Sequence, residues 1–337
     1  MPHSGSLPLH VANGTSTTRT IEAAGIAGAT SIWADPLYEG PVPGNVSDEE
    51  LLQVRANHLS PPSGSPVDPV NDLRRWRSAI ENHQAYAELV LWFEHDLFDQ
   101  LNLIQLLSWI RTHLPATKAV SLVCIGSFPG RPEFKGLGEL SPNELASLMG
   151  TRQRVGAEQY SLADRAWEAF RQPTPEPLDD LRRADTGALP YLARAILRFL
   201  QEYPWTSDGL SRTERRLLKL AERGPIDLRA AFPRMHDGED AYYITDLSLA
   251  GLADSLSRCS PPLLTLTGTP AAGGNRLQPS VAITETGRDV LSGRQDRIDV
   301  CGIDDRWLGG VHLRNAADTW RWDPEHQRIT CDSARQR

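Results

Sequence analysis

The chain has 337 residues, a length typical of two domains or of one large domain with an appendage. With 40% hydrophobic and 23% charged residues it has enough apolar material for a core, so its size alone requires no disulfide or metal. The formal net charge of -8 argues against a broad electrostatic surface for nucleic acid.

The sequence carries no signal for export or membrane insertion. Residues 1–6 contain neither a basic nor an apolar segment and so do not form a signal peptide. The apolar run Leu101–Ile110 is interrupted by polar residues and is much shorter than the roughly 20 residues of a membrane helix. The cysteines form no Cys-x-x-Cys pair, which predicts free thiols at Cys124, Cys259, Cys301 and Cys331. We therefore expect a cytoplasmic protein that does not enter the membrane.

Short apolar runs alternate with helical patterns over residues 1–145. The strongest predicted strand is Glu88–Phe93, which is almost continuously apolar, as expected of a strand covered on both faces. A β-α-β series with short turns predicts a mostly parallel sheet in a three-layer α/β domain. The predicted strands are 7–12, 30–34, 88–93 and 119–125.

The rest of the chain is predicted to form a helical segment and then a small α+β domain. Residues 146–208 are predicted to be a helical connector, which follows a capping box that begins at Ser141. A second capping box at Ser211 belongs to 209–295, where three predicted helices precede two strands and a further helix. That order is typical of a winged helix. Residues 296–337 are predicted to be a C-terminal hairpin and tail.

Ligands bind at the carboxyl ends of the strands in a parallel sheet, and three of these ends are polar here. The first strand is followed by a turn and a helix start that suit an anion such as phosphate, at Asn13, Gly14, Thr15 and Ser16. The same residues are common in turns and helix caps, so a structural role stays open. Asp35 and Glu39 follow the second strand and are candidates for a metal or general-base pair, or for a solvated loop.

The third polar end follows the strongest strand. Four ionisable side chains occur there within six positions: Glu94, His95, Asp96 and Asp99. Because they lie where a buried strand becomes a helix, we expect their pKa values to be shifted. A helix cap needs only Asp96, so the remaining groups favour a catalytic or metal site over purely structural roles. Ser127, after the next strand, is expected at the same edge of the sheet.

The charges of the predicted winged helix do not favour DNA binding. Residues 211–258 contain eight basic and eight acidic residues. The helix that would enter a DNA groove, 244–257, contains Asp246 and Asp254 but no Lys or Arg. It would place carboxylates against phosphates. A protein partner is therefore favoured, and nucleic acid is not expected to bind.

Four stretches resemble the bacterial DUF1835 family, and the most specific one surrounds His95. They are Leu9-His10-Val11-Ala12-Asn13-Gly14, Glu39-Gly40-Pro41-Val42, Leu91 to Leu101, and Leu137-Gly138-Glu139-Leu140. The resemblance covers roughly residues 7–145. The family often has Gly-Asp-Ser where this chain has Gly14-Thr15-Ser16, a departure that argues against an essential carboxylate at position 15. The resemblance implies a bacterial origin but no mechanism.

These features predict a hydrolytic or phosphoryl-handling enzyme that acts on a phosphorylated or nucleotide-like small molecule at the edge of the sheet. His95 would be a base or ligand, the carboxylates would be ligands or orienting groups, and Gly14 to Ser16 would bind the anion. Whether a divalent metal takes part stays open. One alternative is a small-molecule sensor or adaptor, or a transcription-associated regulator, that uses the winged helix to contact protein or, less favoured, DNA. Another is a scaffold in which these residues only form caps and ion pairs.

Overall fold

A computed structural model describes residues 6–60, 68–268, 276–315 and 319–331. The chain divides into two compact units. The first consists of Met1–Ile196 with Trp307–Val311, and the second of Leu197–Arg306 with His312–Arg337. The sequence also predicts a glycine-rich tip at 271–275, between the two strands of the winged helix, and a low-complexity linker or loop at 60–70. The tip and most of the linker lie outside the described residues.

A five-stranded sheet forms the centre of the first unit. Its strands are β1 (Leu9–Ala12), β2 (Ala29–Ile32), β4 (Glu88–Glu94), β5 (Ala119–Ile125) and β6 (Gln153–Arg154). They lie in the order β2-β1-β4-β5-β6, with the first four parallel and β6 antiparallel to β5. The remaining strand β3 (Gly40–Pro41) pairs with β10 (Arg306–Gly309) through Gly40 and Leu308. The predicted α/β class with a mostly parallel sheet is therefore confirmed.

The direction of strand addition reverses between β1 and β4. The chain runs from β1 to β2 on one side of the sheet centre, and from β4 to β5 on the other side. In open α/β sheets a crevice forms at such a point, outside the carboxyl ends of the two strands. Asn13 follows β1 and Glu94 ends β4, so two of the predicted site residues border this position.

The helices of the first unit begin at the signals that the sequence contains. Ser47 and Ser141 each form a reciprocal capping box with the glutamate three residues later. Helix α4 has apolar residues on most of its surface and is buried along most of its length, as a helix inside a layered domain should be. The helices that begin in this unit are α1 (Thr15–Ala23), α2 (Asp48–Leu59), α3 (Pro69–Glu81), α4 (Leu97–His113), α5 (Pro142–Ser147), α6 (Ala157–Phe170), α7 (Glu176–Arg183) and α8 (Leu192–Leu200). The last of them, α8, ends in the second unit, which begins at Leu197.

The second unit contains helices and small antiparallel sheets. Its helices are α9 (Arg212–Glu222), α10 (Leu228–Met235), α11 (Asp246–Arg258), α12 (Glu285–Leu291) and α13 (Arg297–Cys301). Strands β7 (Ile226–Asp227), β8 (Leu264–Thr267) and β9 (Ser280–Ile283) form an antiparallel sheet in the order β7-β9-β8. The chain continues through β11 (Val311–Leu313) to a hairpin of β12 (Trp320–Asp323) and β13 (Arg328–Cys331).

The expectation of four free thiols is wrong for two of the cysteines. Cys259 and Cys301 form a disulfide between the end of α11 and the end of α13. The two residues are 42 positions apart, so their spacing gave no sign of a pair. Cys124 is a free thiol at the end of β5. In the described parts of the chain, the helices are too short or too polar to cross a membrane.

Candidate functional site

One side-chain amide joins the ends of β1 and β4. Asn13 Nδ2 donates to Glu94 Oε1 at 2.9 Å and to Asp99 Oδ2 at 3.0 Å. Thr17 Oγ1 donates to Asn13 Oδ1 at 2.8 Å and so fixes which end of the amide faces the carboxyl groups. The reversal point of the sheet therefore holds two carboxyl groups bridged by a single donor group.

These two carboxyl groups are almost completely buried. Glu94 is 5% exposed and Asp99 is 0% exposed. The amide of Leu137, in the loop after β5, donates a second hydrogen bond to Glu94 Oε1 at 2.5 Å. Within the described residues, Asp99 Oδ1 has no hydrogen-bond partner. A buried polar atom left in this way is costly, so it marks a place where a proton or a bound group would be stabilised.

Burial raises the pKa values of the carboxyl cluster, which consists of Glu94, Asp96 and Asp99. It raises the pKa of Glu94 to about 8, and the charge of Asp96 adds to this effect. Burial also raises the pKa of Asp96 to about 6, and it raises the pKa of Asp99 well above its usual range. The hydrogen bonds from Leu137 and Asn13 lower the pKa of Glu94 and only partly offset its burial. Glu94 therefore retains its proton at pH 7.

The side chain of His95 packs against the β5 side of the sheet edge. It is 7% exposed, and its ring lies 6.3 Å from the ring of Phe134 and 6.1 Å from that of Tyr191. Burial lowers the pKa of His95, although a hydrogen bond with the backbone of Ile125 acts in the opposite direction. The imidazole is therefore neutral at pH 7, and at the sheet edge it lies against the rings of Phe134 and Tyr191.

The carboxylate of Asp35 is engaged by a buried arginine. Arg55 Nη2 lies 2.7 Å from Asp35 Oδ1, and Arg55 Nε donates to both carboxylate oxygens. The same guanidinium donates to the carbonyl oxygens of Glu39 and Pro41. Asn102 of α4 exchanges two hydrogen bonds with the backbone of Asp35. Through Asp35 and the carbonyl oxygen of Glu39, Arg55 thus fixes the shape of the loop after β2. This structural role explains a buried carboxylate at Asp35 without a role in catalysis.

Tyr38 connects this loop to the start of α4. Its ring lies 6.3 Å from that of Phe98. Burial raises the pKa of Tyr38, and the charges of Glu39 and Asp96 raise it further. The carboxylates of Glu39 and Asp96 therefore lie close enough to raise the pKa of the Tyr38 hydroxyl, which remains protonated at neutral pH.

The start of α1 lies beside the loop that follows β5. Gly14 occupies the N-cap without a side-chain hydrogen bond to the helix, and Thr15 and Ser16 are exposed. A Cβ atom on Gly138 would lie 3.0 Å from Ser16 Oγ. This loop therefore borders the predicted anion-binding residues. No side chain at the N-cap accepts a hydrogen bond from the first backbone N–H groups of α1.

The same loop also approaches the carboxyl cluster. A Cβ atom on Gly136 would lie 2.3 Å from Glu94 Oε2, so only glycine fits beside that oxygen without movement. Ser127, nearer the beginning of the loop, is exposed. In the described part of the chain, no hydrogen bond joins Ser127 to the cluster.

Three contributors to the site had no functional signal in the sequence. They are the amide of Leu137, the side chain of Gln100 and the thiol of Cys124. Gln100 Nε2 donates to the backbone oxygen of Glu94 at 2.6 Å and contacts Cys124 Sγ at 3.5 Å. Burial and then the charge of Asp99 raise the pKa of the Cys124 thiol, so it is not a nucleophile at neutral pH. Gln100 and Leu137 lie in stretches that resemble the DUF1835 family, whereas Cys124 does not.

The described residues contain no group of three or more His, Cys, Asp or Glu side chains arranged to hold a metal ion. At this site Asn13 donates to both carboxyl groups, and Glu94 retains its proton at pH 7.

Comparison with known proteins adds no family or relative. No protein-family model matches the chain, and no curated protein shows significant similarity to it.

Proposed function

We propose that the first unit is an enzyme that carries out acid–base chemistry on a phosphorylated small molecule at the crevice between β1 and β4. The observation that carries this proposal is the bridging of Glu94 and Asp99 by Asn13, where the strand order reverses. Buried carboxyl groups with pKa values displaced toward neutrality are typical of groups that exchange protons in catalysis.

The different environments of two carboxyl groups suggest their roles. With a pKa of about 8, Glu94 holds a proton at pH 7 and suits a general acid. Asp96, with a pKa of about 6 and a half-buried side chain, is mostly ionised at that pH and suits a general base. In hydrolysis of a phosphoester, Asp96 would accept a proton from the attacking water while Glu94 gives one to the leaving oxygen. Water would then add to phosphorus as the ester bond breaks.

The start of α1 supports the choice of a phosphorylated substrate. Backbone N–H groups at the N-terminus of a helix bind anions, and this helix has no side-chain cap there. The exposed hydroxyl groups of Thr15 and Ser16 would add donors to the phosphate. The glycines at 136 and 138 keep the neighbouring loop close to both the carboxyl cluster and Ser16.

The test is a screen of the purified chain against phosphomonoesters and nucleotides, with and without divalent metals, across a range of pH. We expect turnover that Glu94→Gln and Asp96→Asn reduce at least a hundredfold, since general acid–base groups contribute about 10²–10⁴-fold. Ser16→Ala should raise KM more than it lowers kcat. The control is Glu133→Gln, which changes an exposed carboxylate of the same loop. Turnover that persists in both site variants, or its absence with every substrate, would refute the proposal.

We also propose that the chain is a member of the DUF1835 family. Three of the resembling stretches meet at one place, because Asn13, Glu94 and Leu137 belong to different stretches and share hydrogen bonds. Discovery of a homologue that keeps these two hydrogen bonds but lacks the family's other stretches would argue against membership.

A second candidate function rests on the second unit. We propose that 209–295 is a winged-helix domain, which α9, α10 and α11 followed by β8 and β9 would form. Helix α11 carries Asp246 and Asp254 and has a basic side chain only at its last residue, Arg258, which favours a protein contact over DNA for that helix. In this second function the chain is a small-molecule sensor that signals through the winged helix. The amide hydrogen exchange of α11 should then change when ATP binds to the chain. Unchanged exchange at saturating ATP would exclude signalling through that helix for this ligand.

A further inference from the structure

The second unit contains a basic cavity of about 500 Å³. Its volume lies within the range of roughly 300–1,000 Å³ that is typical of small-molecule sites. Most of its lining residues are cationic: Arg212, Arg215, Arg216, Lys219, Arg223 and Arg234. Asp237 is the single acidic residue in the described lining.

Helical spacing explains how these cations come together. Arg212, Arg216, Lys219 and Arg223 recur at intervals of three or four residues in and just after α9, so they share one face. The buried residues of α9, among them Leu217, occupy the other face. The acidic residues that balance the charge in the linear sequence lie mostly elsewhere, so folding separates the two signs.

Four of the six cations lack a carboxylate partner among the described residues. Arg212 pairs with Glu239 at 3.2 Å, and Arg215 pairs with Asp208. In the described parts of the chain, the other four form no ion pair with a carboxylate: Arg216, Lys219, Arg223 and Arg234. Arg216 is held in place by its hydrogen bond to the backbone oxygen of Arg234, at 2.9 Å. The cavity therefore has an excess of positive charge that only a multiply charged anion would balance.

An aromatic ring and an unsatisfied donor complete the cavity. The guanidinium of Arg215 lies 4.9 Å from the ring centre of Trp205, which also lines the cavity. Arg215 Nε is buried and has no hydrogen-bond partner among the described residues. Phosphate oxygens are the acceptors that guanidinium groups bind best, and an indole ring provides a flat surface for a base.

We infer that this cavity binds a small, multiply charged phosphate compound of the class of nucleoside di- and triphosphates. The phosphates would contact Arg216, Lys219, Arg223 and Arg234, and the base would lie near Trp205. The concave shape favours a small molecule over a nucleic-acid backbone. Helix α11 contributes no side chain to this lining. The inference does not depend on the proposed chemistry of the first unit.

The experiment measures binding to the full chain by calorimetry, with ATP, GTP, tripolyphosphate, inorganic phosphate and a short DNA duplex as probes. We expect ATP and tripolyphosphate to bind much more tightly than inorganic phosphate. The double variant Lys219→Ala, Arg223→Ala should weaken the binding of ATP at least tenfold, because each charge-assisted contact is lost. Both side chains are exposed, so the variant should fold normally.

The matched control is Arg229→Ala, which removes an exposed arginine of α10 that does not line the cavity. An equal loss of affinity in the control would show non-specific charge attraction and overturn the inference. Failure of ATP, GTP and tripolyphosphate to bind would also overturn it. Tighter binding of the DNA duplex than of tripolyphosphate at equal ionic strength would assign the cations to nucleic acid instead.

Discussion

Arg55 binds the carboxylate of Asp35 through two of its nitrogen atoms, and the two side chains are only 1% and 4% exposed. Each charge is compensated by the other in a region that water does not reach. The remaining donors of Arg55 are taken up by backbone carbonyls of the same loop. The pair therefore fixes the loop after β2 against α2.

Arg55→Ala should destabilise the protein strongly, because it leaves the Asp35 carboxylate buried without its partner. We expect the free energy of unfolding to fall by about 3–5 kcal/mol, as for other broken buried ion pairs. Chemical denaturation with urea would measure the change. The control is Arg74→Ala, which removes an ion pair between side chains that are 53% and 65% exposed and should cost less than about 1 kcal/mol. Similar losses in the two variants would contradict the prediction.

The stability of the chain should depend on pH through Glu94. Its pKa is raised from 4.5 to about 8 on folding, so the folded state holds a proton that the unfolded state has released between those pH values. Stability from this group is therefore complete below pH 4.5 and is lost as pH rises toward 8. Glu94→Gln should remove up to about 1.4 kcal/mol per pH unit from this slope.

Urea denaturation of both proteins at several pH values would show this difference. Glu133→Gln, which alters an exposed carboxylate, should leave the slope unchanged. A wild-type slope that Glu94→Gln does not alter would mean that Glu94 is ionised in the folded protein.

Gly136→Ala should disturb the carboxyl cluster. The new methyl group would lie 2.3 Å from Glu94 Oε2, and Glu94 cannot withdraw without losing its hydrogen bonds to Asn13 and Leu137. We expect a loss of about 1–3 kcal/mol in unfolding free energy, as for other overpacked sites. Gly150→Ala, where nothing lies within 4 Å of the new atom, should have little effect. Thermal unfolding of the two variants compares them, and equal melting temperatures would count against the described packing.

Reduction of the disulfide should destabilise the second unit. The bond between Cys259 and Cys301 closes a long loop, and such bonds typically contribute about 2–4 kcal/mol. Dithiothreitol should therefore lower the melting temperature of the wild-type chain. The variant Cys259→Ser, Cys301→Ser should melt at the reduced wild-type temperature and should not respond to the reductant. A wild-type chain that melts identically with and without reductant would show that the bond does not stabilise it.

The sequence predicted what depends on neighbouring residues. Glu88–Phe93 was recognised because a run of apolar residues determines a buried strand, and Ser141 because its partner Glu144 is three residues away. The sequence also predicts shifted pKa values for the carboxyl groups after β4, because a buried strand ends and a helix begins there.

Local sequence patterns do not predict contacts between residues that are far apart in the chain. Nothing near Asp35 indicates that Arg55, 20 residues later, would occupy its carboxylate. The amide of Leu137 reaches Glu94 across 43 residues, and a backbone donor has no signature in the sequence. The basic cavity was hidden because the acidic residues of 211–258 cancel its charge in any count along the chain.

The hydrogen bond from Leu137 to Glu94 makes proton affinity depend on the position of a loop. That bond lowers the pKa of Glu94, whereas burial of the side chain, beside Gly136 of the same loop, raises it by more. One short loop therefore provides a donor that favours the carboxylate and lies over an oxygen whose burial favours the protonated form. Substitutions in this loop would change the proton affinity of Glu94 without altering any group that titrates there.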